Sequence, residues 1–161
     1  MRIMVFTEGT ILTHSIWSGI PREEVVRRIR EGERPGSTGT IPIGGAARKI
    51  RAWNNAGAEI VYLTSRRSLE EVGQVKQALR HYDFPSGELF SRMESEDYAD
   101  VAERARPDVI IEDDCESIGG ESEMTYPGIQ PETKARIVSI VVKEFGGIDH
   151  LSDRLSDLVP F

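Results

Sequence analysis

Short apolar runs alternate along the chain with stretches that have a helical period. The runs that predict β-strands are Arg2–Phe6, Glu59–Leu63, Glu88–Phe90, Asp108–Glu112 and Val138–Val142. The second run is apolar almost throughout, which is typical of a parallel strand that is covered on both faces. The alternation predicts an α/β domain: a three-layer Rossmann-like arrangement with a mainly parallel sheet of about five strands.

The segments between these runs carry apolar residues at steps of three and four, as one buried helical stripe requires. They predict helices near Arg22–Arg30, from Ala46 to Asn54, from Leu69 to Leu79, and over Tyr98–Ala105. In the third helix, Leu69, Val72 and Leu79 form a stripe that either Lys76 or Val75 completes. Pro107 disfavours helical geometry at the preceding residue and therefore ends the fourth helix.

Two stretches depart from this rhythm, Thr13–Pro42 and Gly119–Pro131. Both are rich in Gly and Pro, which favours loops, and only the first contains a predicted helix. We therefore expect a single domain over residues 1–161, with residues 13–42 forming a loop and helix insertion. Specificity is expected to lie in these two stretches, because they leave the regular elements and connect strand ends.

The composition narrows the classes of function. Of the 161 residues, 39% are hydrophobic and 29% are charged, and the formal net charge is -7. An acidic balance argues against a general nucleic-acid binder, and the chain contains no apolar run long enough to cross a membrane. The one cysteine, Cys115, has no partner for an internal disulfide, so a cytoplasmic location is expected.

The arginines of the insertion allow two interpretations. Either they form a local basic patch, or they belong to a solvated helix whose arginines pair with interleaved glutamates. The interleaving favours ion pairs at helical spacing. The arginines are Arg22, Arg27, Arg28, Arg30 and Arg34, and the glutamates are Glu23, Glu24, Glu31 and Glu33.

Polar residues follow three of the predicted strands. Thr7-Glu8-Gly9-Thr10 follows the first, Thr64-Ser65-Arg66 the second, and Asp113-Asp114 the fourth. In an open parallel sheet, ligands bind in the crevice beyond the carboxyl ends of the strands. We therefore expect these groups to line one site.

The order of these motifs resembles that of the haloacid dehalogenase (HAD) phosphatase superfamily. Members of that family place Asp-x-Asp-Gly-Thr after the first strand, a Thr or Ser after the second, a Lys or Arg before a later helix, and an acidic pair after the fourth. The resemblance extends from Arg2 to about Val142 and leaves no room for a substantial cap. Another doubly wound domain, of the flavodoxin-like kind, is the alternative interpretation.

The resemblance assigns a role to each matching residue. It implies catalytic positions at Glu8, Thr64 and Arg92, and Mg²⁺ ligation by Glu8, Asp113 and Asp114. It implies binding of the substrate phosphate by Thr10, Thr64, Ser65, Arg66 and Arg92. The alternative interpretation is that Glu8 and the two aspartates are ordinary polar residues at strand ends, bonded to local backbone.

The nucleophile position departs from the family pattern. When Gly9-Thr10 is aligned with the Gly-Thr of the motif, Phe6 replaces the nucleophilic Asp. A phenyl ring can neither attack phosphorus nor bind Mg²⁺. A shifted alignment makes Thr7 the nucleophile, but Gly9 then replaces the second acid.

Two functions follow from this departure. The first is a non-catalytic or catalytically altered member that binds a phosphorylated small molecule or protein partner. The second is a Mg²⁺-dependent phosphate-ester hydrolase in which Glu8 activates a metal-bound water. No glycine fingerprint of a nucleotide cofactor is present, so none is expected. An open crevice is also compatible with closure by a second copy of the chain in a homodimer.

Three further residues are expected near the crevice. His14 is either a catalytic base or a loop histidine with structural hydrogen bonds, and the second interpretation is favoured. Trp17 is expected to line a ligand pocket. Cys115 follows the acidic pair, whose charge opposes formation of a reactive thiolate.

Overall fold

A computed structural model describes residues 1–160. In chain order the strands are β1 (Arg2–Phe6), β2 (Leu12–His14), β3 (Thr40–Pro42), β4 (Glu59–Leu63), β5 (Leu89–Phe90), β6 (Val109–Asp113) and β7 (Val138–Val142). The α-helices are α1 (Arg22–Arg30), α2 (Ala46–Asn55), α3 (Leu69–His81), α4 (Tyr98–Ala105) and the single turn α5 (Pro131–Lys134). Short 3₁₀ helices cover Ser15–Trp17, Gly120–Glu123, Tyr126–Gly128 and Leu155–Asp157.

Five strands form one parallel sheet in the order β5-β4-β1-β6-β7. Helices α2 and α3 pack on one face of the sheet, and α4 packs on the other. The predicted three-layer α/β architecture is therefore confirmed. Among the described residues, no helix is both long and apolar enough to span a bilayer.

Strand β1 lies at the centre of the sheet and faces both layers. Ile3 and Val5 pack against α2 and α3, whereas Met4 packs against α4. All three side chains are fully buried. The direction in which strands are added to the sheet reverses at β1, because β4 lies on one side of β1 and β6 lies on the other. This reversal places a crevice at the carboxyl ends of these three strands.

The insertion contains a hairpin that the sequence did not reveal. Strands β2 and β3 pair antiparallel, with Thr13 opposite Ile41, and enclose α1 between them. Each strand has only three residues, too few to show an alternating pattern. The stretch Gly119–Pro131, predicted as loop, contains two of the 3₁₀ helices.

The predicted helices are present, with one correction to a buried stripe. In α3, Val75 completes the stripe with Val72 and Leu79, while Leu69 is 93% exposed because it lies in the first turn, away from the sheet. Helix α4 ends at Ala105, and the C-cap residue Arg106 adopts the left-handed conformation (φ 52°) directly before the proline.

Two glycines provide a matched test of this fold. A Cβ at Gly87 would lie 2.0 Å from the carbonyl oxygen of Ile60, so Gly87→Ala should destabilise the protein by about 1–3 kcal/mol. Gly73 lies exposed within α3 with open space around it, so Gly73→Ala should stabilise the protein by about 0.5–1 kcal/mol. Urea denaturation of both variants measures the difference, and equal stabilities would contradict the packing between β4 and β5.

Candidate functional site

The polar motifs meet at the carboxyl edge of the sheet, as the strand-end rule predicts. Phe6 is in register with Leu63, and the backbone N–H of Thr7 continues the ladder by donating to the Leu63 carbonyl at 2.9 Å. Strand β6 extends to Asp113, one residue beyond its predicted end, because this residue pairs with Val142 of β7. The last residues of three adjacent strands thus open onto one crevice.

Gly9 makes the turn that returns the chain from β1 to β2. Its φ of +83° lies in the left-handed region, which glycine adopts readily. A Cβ at this position would lie 3.0 Å from the Oδ2 of Asp113 and 3.3 Å from the Cγ of Glu144. Glycine therefore allows the backbone to approach the acidic side chains closely.

The Glu8 carboxylate lies against the end of β4. Its Oε1 accepts hydrogen bonds from the Thr64 hydroxyl at 2.8 Å, the Ser65 backbone N–H at 2.6 Å and the Ser65 hydroxyl at 2.7 Å. The Thr7 hydroxyl donates to Oε2, which also lies 2.9 Å from the Thr64 Oγ1. Thr64 and Ser65, two of the residues that the family resemblance assigns to a phosphate, thus donate to a carboxylate of the chain itself.

Three other carboxylates converge at the ends of β6 and β7. Asp113, Asp114 and Glu144 each place one oxygen within 4.8 Å of the others. Hard oxygen ligands in such a group are of the kind that Mg²⁺ and Ca²⁺ bind. Glu8, which the resemblance assigned to the metal, lies outside this group and points toward β4. Glu144 escaped sequence reasoning, although it follows the end of β7 by two residues.

Each carboxylate of this group is held by local donors. Asp113 accepts from the Thr10 hydroxyl at 2.8 Å and from the backbone N–H of Cys115 at 2.9 Å. Glu144 accepts from both the backbone N–H and the hydroxyl of Ser117, each at 2.6 Å. Thr10, predicted to bind phosphate, is fully buried and orients Asp113 instead.

Burial changes the acidity of three carboxyl groups at this edge of the sheet. It raises the pKa of Glu112, Asp113 and Glu144 above the ordinary carboxyl values, and their hydrogen bonds only partly oppose this effect. Burial, reinforced by the charge of Asp113, also raises the pKa of the Cys115 thiol. A reactive thiolate at Cys115 is therefore disfavoured, in agreement with the sequence.

Phe6 and Arg92 both pack on the ring of Tyr98. The rings of Phe6 and Tyr98 meet edge to face, with centroids 5.3 Å apart. The guanidinium carbon of Arg92 lies 4.1 Å from the centroid of the Tyr98 ring, and its Nη2 donates to the Ser65 carbonyl at 3.4 Å. Burial raises the pKa of Tyr98 to about 12. Within residues 1–160, the Nε of Arg92 is buried without a hydrogen-bond partner.

Arg66, which precedes helix α3, forms an ion pair with a residue of that helix. Its Nη1 forms an ion pair with Glu71 at 3.2 Å, in the first turn of α3. Its backbone N–H donates to the Thr64 hydroxyl at 3.1 Å. The side chains of Arg66 and Arg92 nevertheless line the same cavity.

The cavity has a volume of about 480 Å³ and lies between the strand ends and the insertion. Its apolar wall includes Phe6, Leu12, Trp17, Ile29, Tyr98, Ile118 and Phe145. Its charged lining comprises five acidic side chains, Glu8, Glu33, Asp113, Glu123 and Glu144, and three arginines, Arg34, Arg66 and Arg92. Trp17 lines the cavity as the sequence predicted. The Nδ1 of His14 accepts the Ile16 backbone N–H at 3.0 Å, which is the structural role favoured for it.

Helix α1 combines surface ion pairs with anchors to the acidic edge. Arg27 pairs with Glu24 and Glu31, which confirms the predicted ladder of ion pairs. Arg22 differs, because its Nε donates to the Glu144 carbonyl at 2.9 Å and its Nη2 pairs with Glu116. Arg30 likewise donates to the carbonyl of Glu116, at 3.0 Å. The insertion is therefore fastened to the loops that follow β6 and β7.

Comparison with known proteins finds no family model and no curated protein that matches this chain.

The raised pKa values predict how stability depends on pH. Between the ordinary carboxyl pKa of about 4 and the raised values of Glu112, Asp113 and Glu144, the folded chain holds protons that the unfolded chain has released. Stability should therefore fall as the pH rises through this window. A divalent cation at the acidic group should offset the loss, so Mg²⁺ should raise the melting temperature more at about pH 7.5 than at about pH 4.5. Scanning calorimetry measures these shifts, and KCl at matched ionic strength is the control. Equal shifts at both pH values would contradict the prediction.

Proposed function

We propose that this chain is a degenerate HAD-like protein that binds a small phosphate-bearing ligand, together with a divalent cation, and forms no phosphoenzyme. The observation that carries the proposal is the end of β1. The strand presents the Phe6 ring to the cavity, packed on Tyr98, at the position where the family alignment requires a nucleophilic carboxylate. An aspartyl-phosphate route is closed without such a carboxylate.

The alternative nucleophile of the shifted alignment has little support from the geometry. Thr7 is fully buried, and its hydroxyl is within hydrogen-bond distance of Glu8 and of the Leu63 carbonyl. A nucleophile needs an exposed oxygen and a general base within reach of its proton. The burial of Thr7 therefore favours a binding function over covalent catalysis.

The cavity supplies complementary groups for a phosphate. Arg92 is the strongest candidate. Its guanidinium is held over the ring of Tyr98, and its buried Nε has no hydrogen-bond partner among residues 1–160. Arginine suits this role because its planar donors match the spacing of phosphate oxygens. Arg66 lines the same cavity and would add a second positive charge.

A cation would balance the other side of the cavity. Acidic side chains outnumber arginines in the lining, so a bare phosphate would meet a net negative surface. Asp113, Asp114 and Glu144 are the residues that would hold a divalent cation, which would supply positive charge next to the phosphate. The apolar wall around Trp17 would then accommodate the organic part of the ligand.

Ligand binding can be tested with Mg²⁺ and a panel of phosphomonoesters. We expect at least one ester to raise the melting temperature of the native protein and to bind in titration calorimetry. Arg92→Gln should weaken that binding about tenfold or more, since an ionic hydrogen bond to phosphate is lost. Arg104→Gln is the matched control, because Arg104 also stacks on an aromatic ring, that of Phe90, but pairs with Glu96 outside the cavity. Equal losses in the two variants, or no binding by the native protein, would contradict the proposal.

The second candidate is a Mg²⁺-dependent phosphate-ester hydrolase. The convergence of three carboxylates beside the cavity favours it, because a cation held there could carry a water molecule. Glu8 would have to accept a proton from that water. Its oxygens already receive hydrogen bonds from Thr7, Thr64 and Ser65, which occupy the lone pairs that a general base uses.

Turnover separates the two candidates. A binding protein should release no phosphate from a broad panel of monoesters in the presence of Mg²⁺ or Mn²⁺. Should phosphate release be found, a hydrolase of the second kind requires that Glu8→Gln and Asp113→Asn both abolish it. Release that survives both substitutions would indicate a contaminating enzyme and leave the binding function standing.

A further inference from the structure

The Glu8 carboxylate accepts three converging hydrogen bonds from the end of β4. The hydroxyl of Thr64, the backbone N–H of Ser65 and the hydroxyl of Ser65 all lie within 2.8 Å of the single oxygen Oε1. These donors come from one turn at the end of β4 and converge on one point. A carboxylate and a phosphate both accept hydrogen bonds through negatively charged oxygens, so either group satisfies this arrangement.

The anion in this position belongs to the chain and is fixed by β1. Glu8 follows the central strand by two residues, and the Thr7 hydroxyl donates to its second oxygen. The turn at Gly9 fixes the backbone that follows Glu8, since the Gly9 N–H donates to the Leu12 carbonyl at 2.9 Å. The carboxylate is therefore placed by the sheet and does not reach the site from a flexible loop.

We propose that Glu8 is an internal anion that occupies the phosphate position formed by Thr64 and Ser65. An incoming phosphate at this position must displace the Glu8 carboxylate, because the same three donors cannot serve both groups. This inference rests on the proposed function, and it adds a determinant of specificity. Glu8 selects against free inorganic phosphate and favours ligands whose additional contacts with Arg92 and the apolar wall compensate for the displacement.

The substitution Glu8→Ala tests this directly with inorganic phosphate as the probe. Removing the carboxylate frees three donors, so the dissociation constant for phosphate should fall about tenfold or more relative to the native protein. Glu123→Ala is the matched control for charge alone. Glu123 lines the same cavity, but it is exposed and lies on the Gly120–Glu123 turn, whereas Thr64 and Ser65 donate to Glu8.

Two further variants make the test specific. Thr64→Val in the Glu8→Ala background should remove most of the gain in phosphate affinity, because it deletes one of the freed donors. Glu8→Gln keeps the size of the side chain and removes its charge, so phosphate should again bind more tightly than to the native protein. This variant serves if Glu8→Ala does not fold, as judged by circular dichroism and melting temperature.

The results distinguish this inference from the proposed function. A gain in Glu8→Ala that Glu123→Ala lacks and Thr64→Val removes supports an internal anion. An unchanged or weaker affinity in Glu8→Ala, an equal gain in Glu123→Ala, or a gain that survives Thr64→Val overturns it. If the native protein binds a phosphomonoester through Arg92 but Glu8→Ala gains nothing, only this inference fails. If Glu8→Ala gains phosphate while the native protein binds no ester, Glu8 still occupies an anion position, but the proposed function and the specificity assigned to Glu8 both fail.

Discussion

The burial of β1 between β4 and β6 is the constraint on which the rest of the molecule depends. Ile3, Met4 and Val5 are fully buried, and each such side chain contributes about 1.5–3 kcal/mol to folding. Parallel pairing on both sides then fixes where the strand ends. The positions of Glu8 and of its donors just after β4 follow from that register, as does the approach of Gly9 to Asp113 at the end of β6.

Several carboxylates therefore lie close together at the carboxyl edge of this sheet. Glu112 accepts the backbone N–H groups of Thr125 and Tyr126, at 2.7 and 2.9 Å, and so holds the loop after β6 in place. Glu144 holds Ser117 in the same loop. The acids thus organise the loops around the cavity even without an external ligand, while their raised pKa values record the cost of burying charge.

The sequence predicted the sheet well because parallel strands buried on both faces are apolar without interruption. The sequence also predicted that Thr64 and Asp113 lie at one edge of the sheet, because the strand-end rule needs only the order of the strands and of the polar residues that follow them. The direction of the Glu8 side chain could not be predicted in this way. The donors that follow β4 and the acids at the end of β6 both lie near the end of β1. Which of these groups the Glu8 side chain contacts depends on hydrogen-bond geometry in three dimensions.

Other features were missed for different physical reasons. Glu144 obeys the strand-end rule, and applying the rule to β7 would have found it. The β2–β3 pair could not be found, since strands of three residues carry no measurable period. Two partners of Arg22 lie 94 and 122 positions away along the chain, whereas local charge patterning indicates only nearer glutamates such as Glu23, which Arg22 also contacts.

The anchoring of α1 has a thermodynamic meaning. Arg22 joins helix α1, whose Ile29 lines the cavity, to the backbone of Glu144, one of the three clustered acids, so the helix and the acidic edge share a hydrogen bond. When both the proposed ligand and the proposed cation bind, a ligand that shifts α1 would alter the affinity for the cation, and by reciprocity the cation would alter the affinity for the ligand by the same factor. Helix α1 would then couple the two proposed sites.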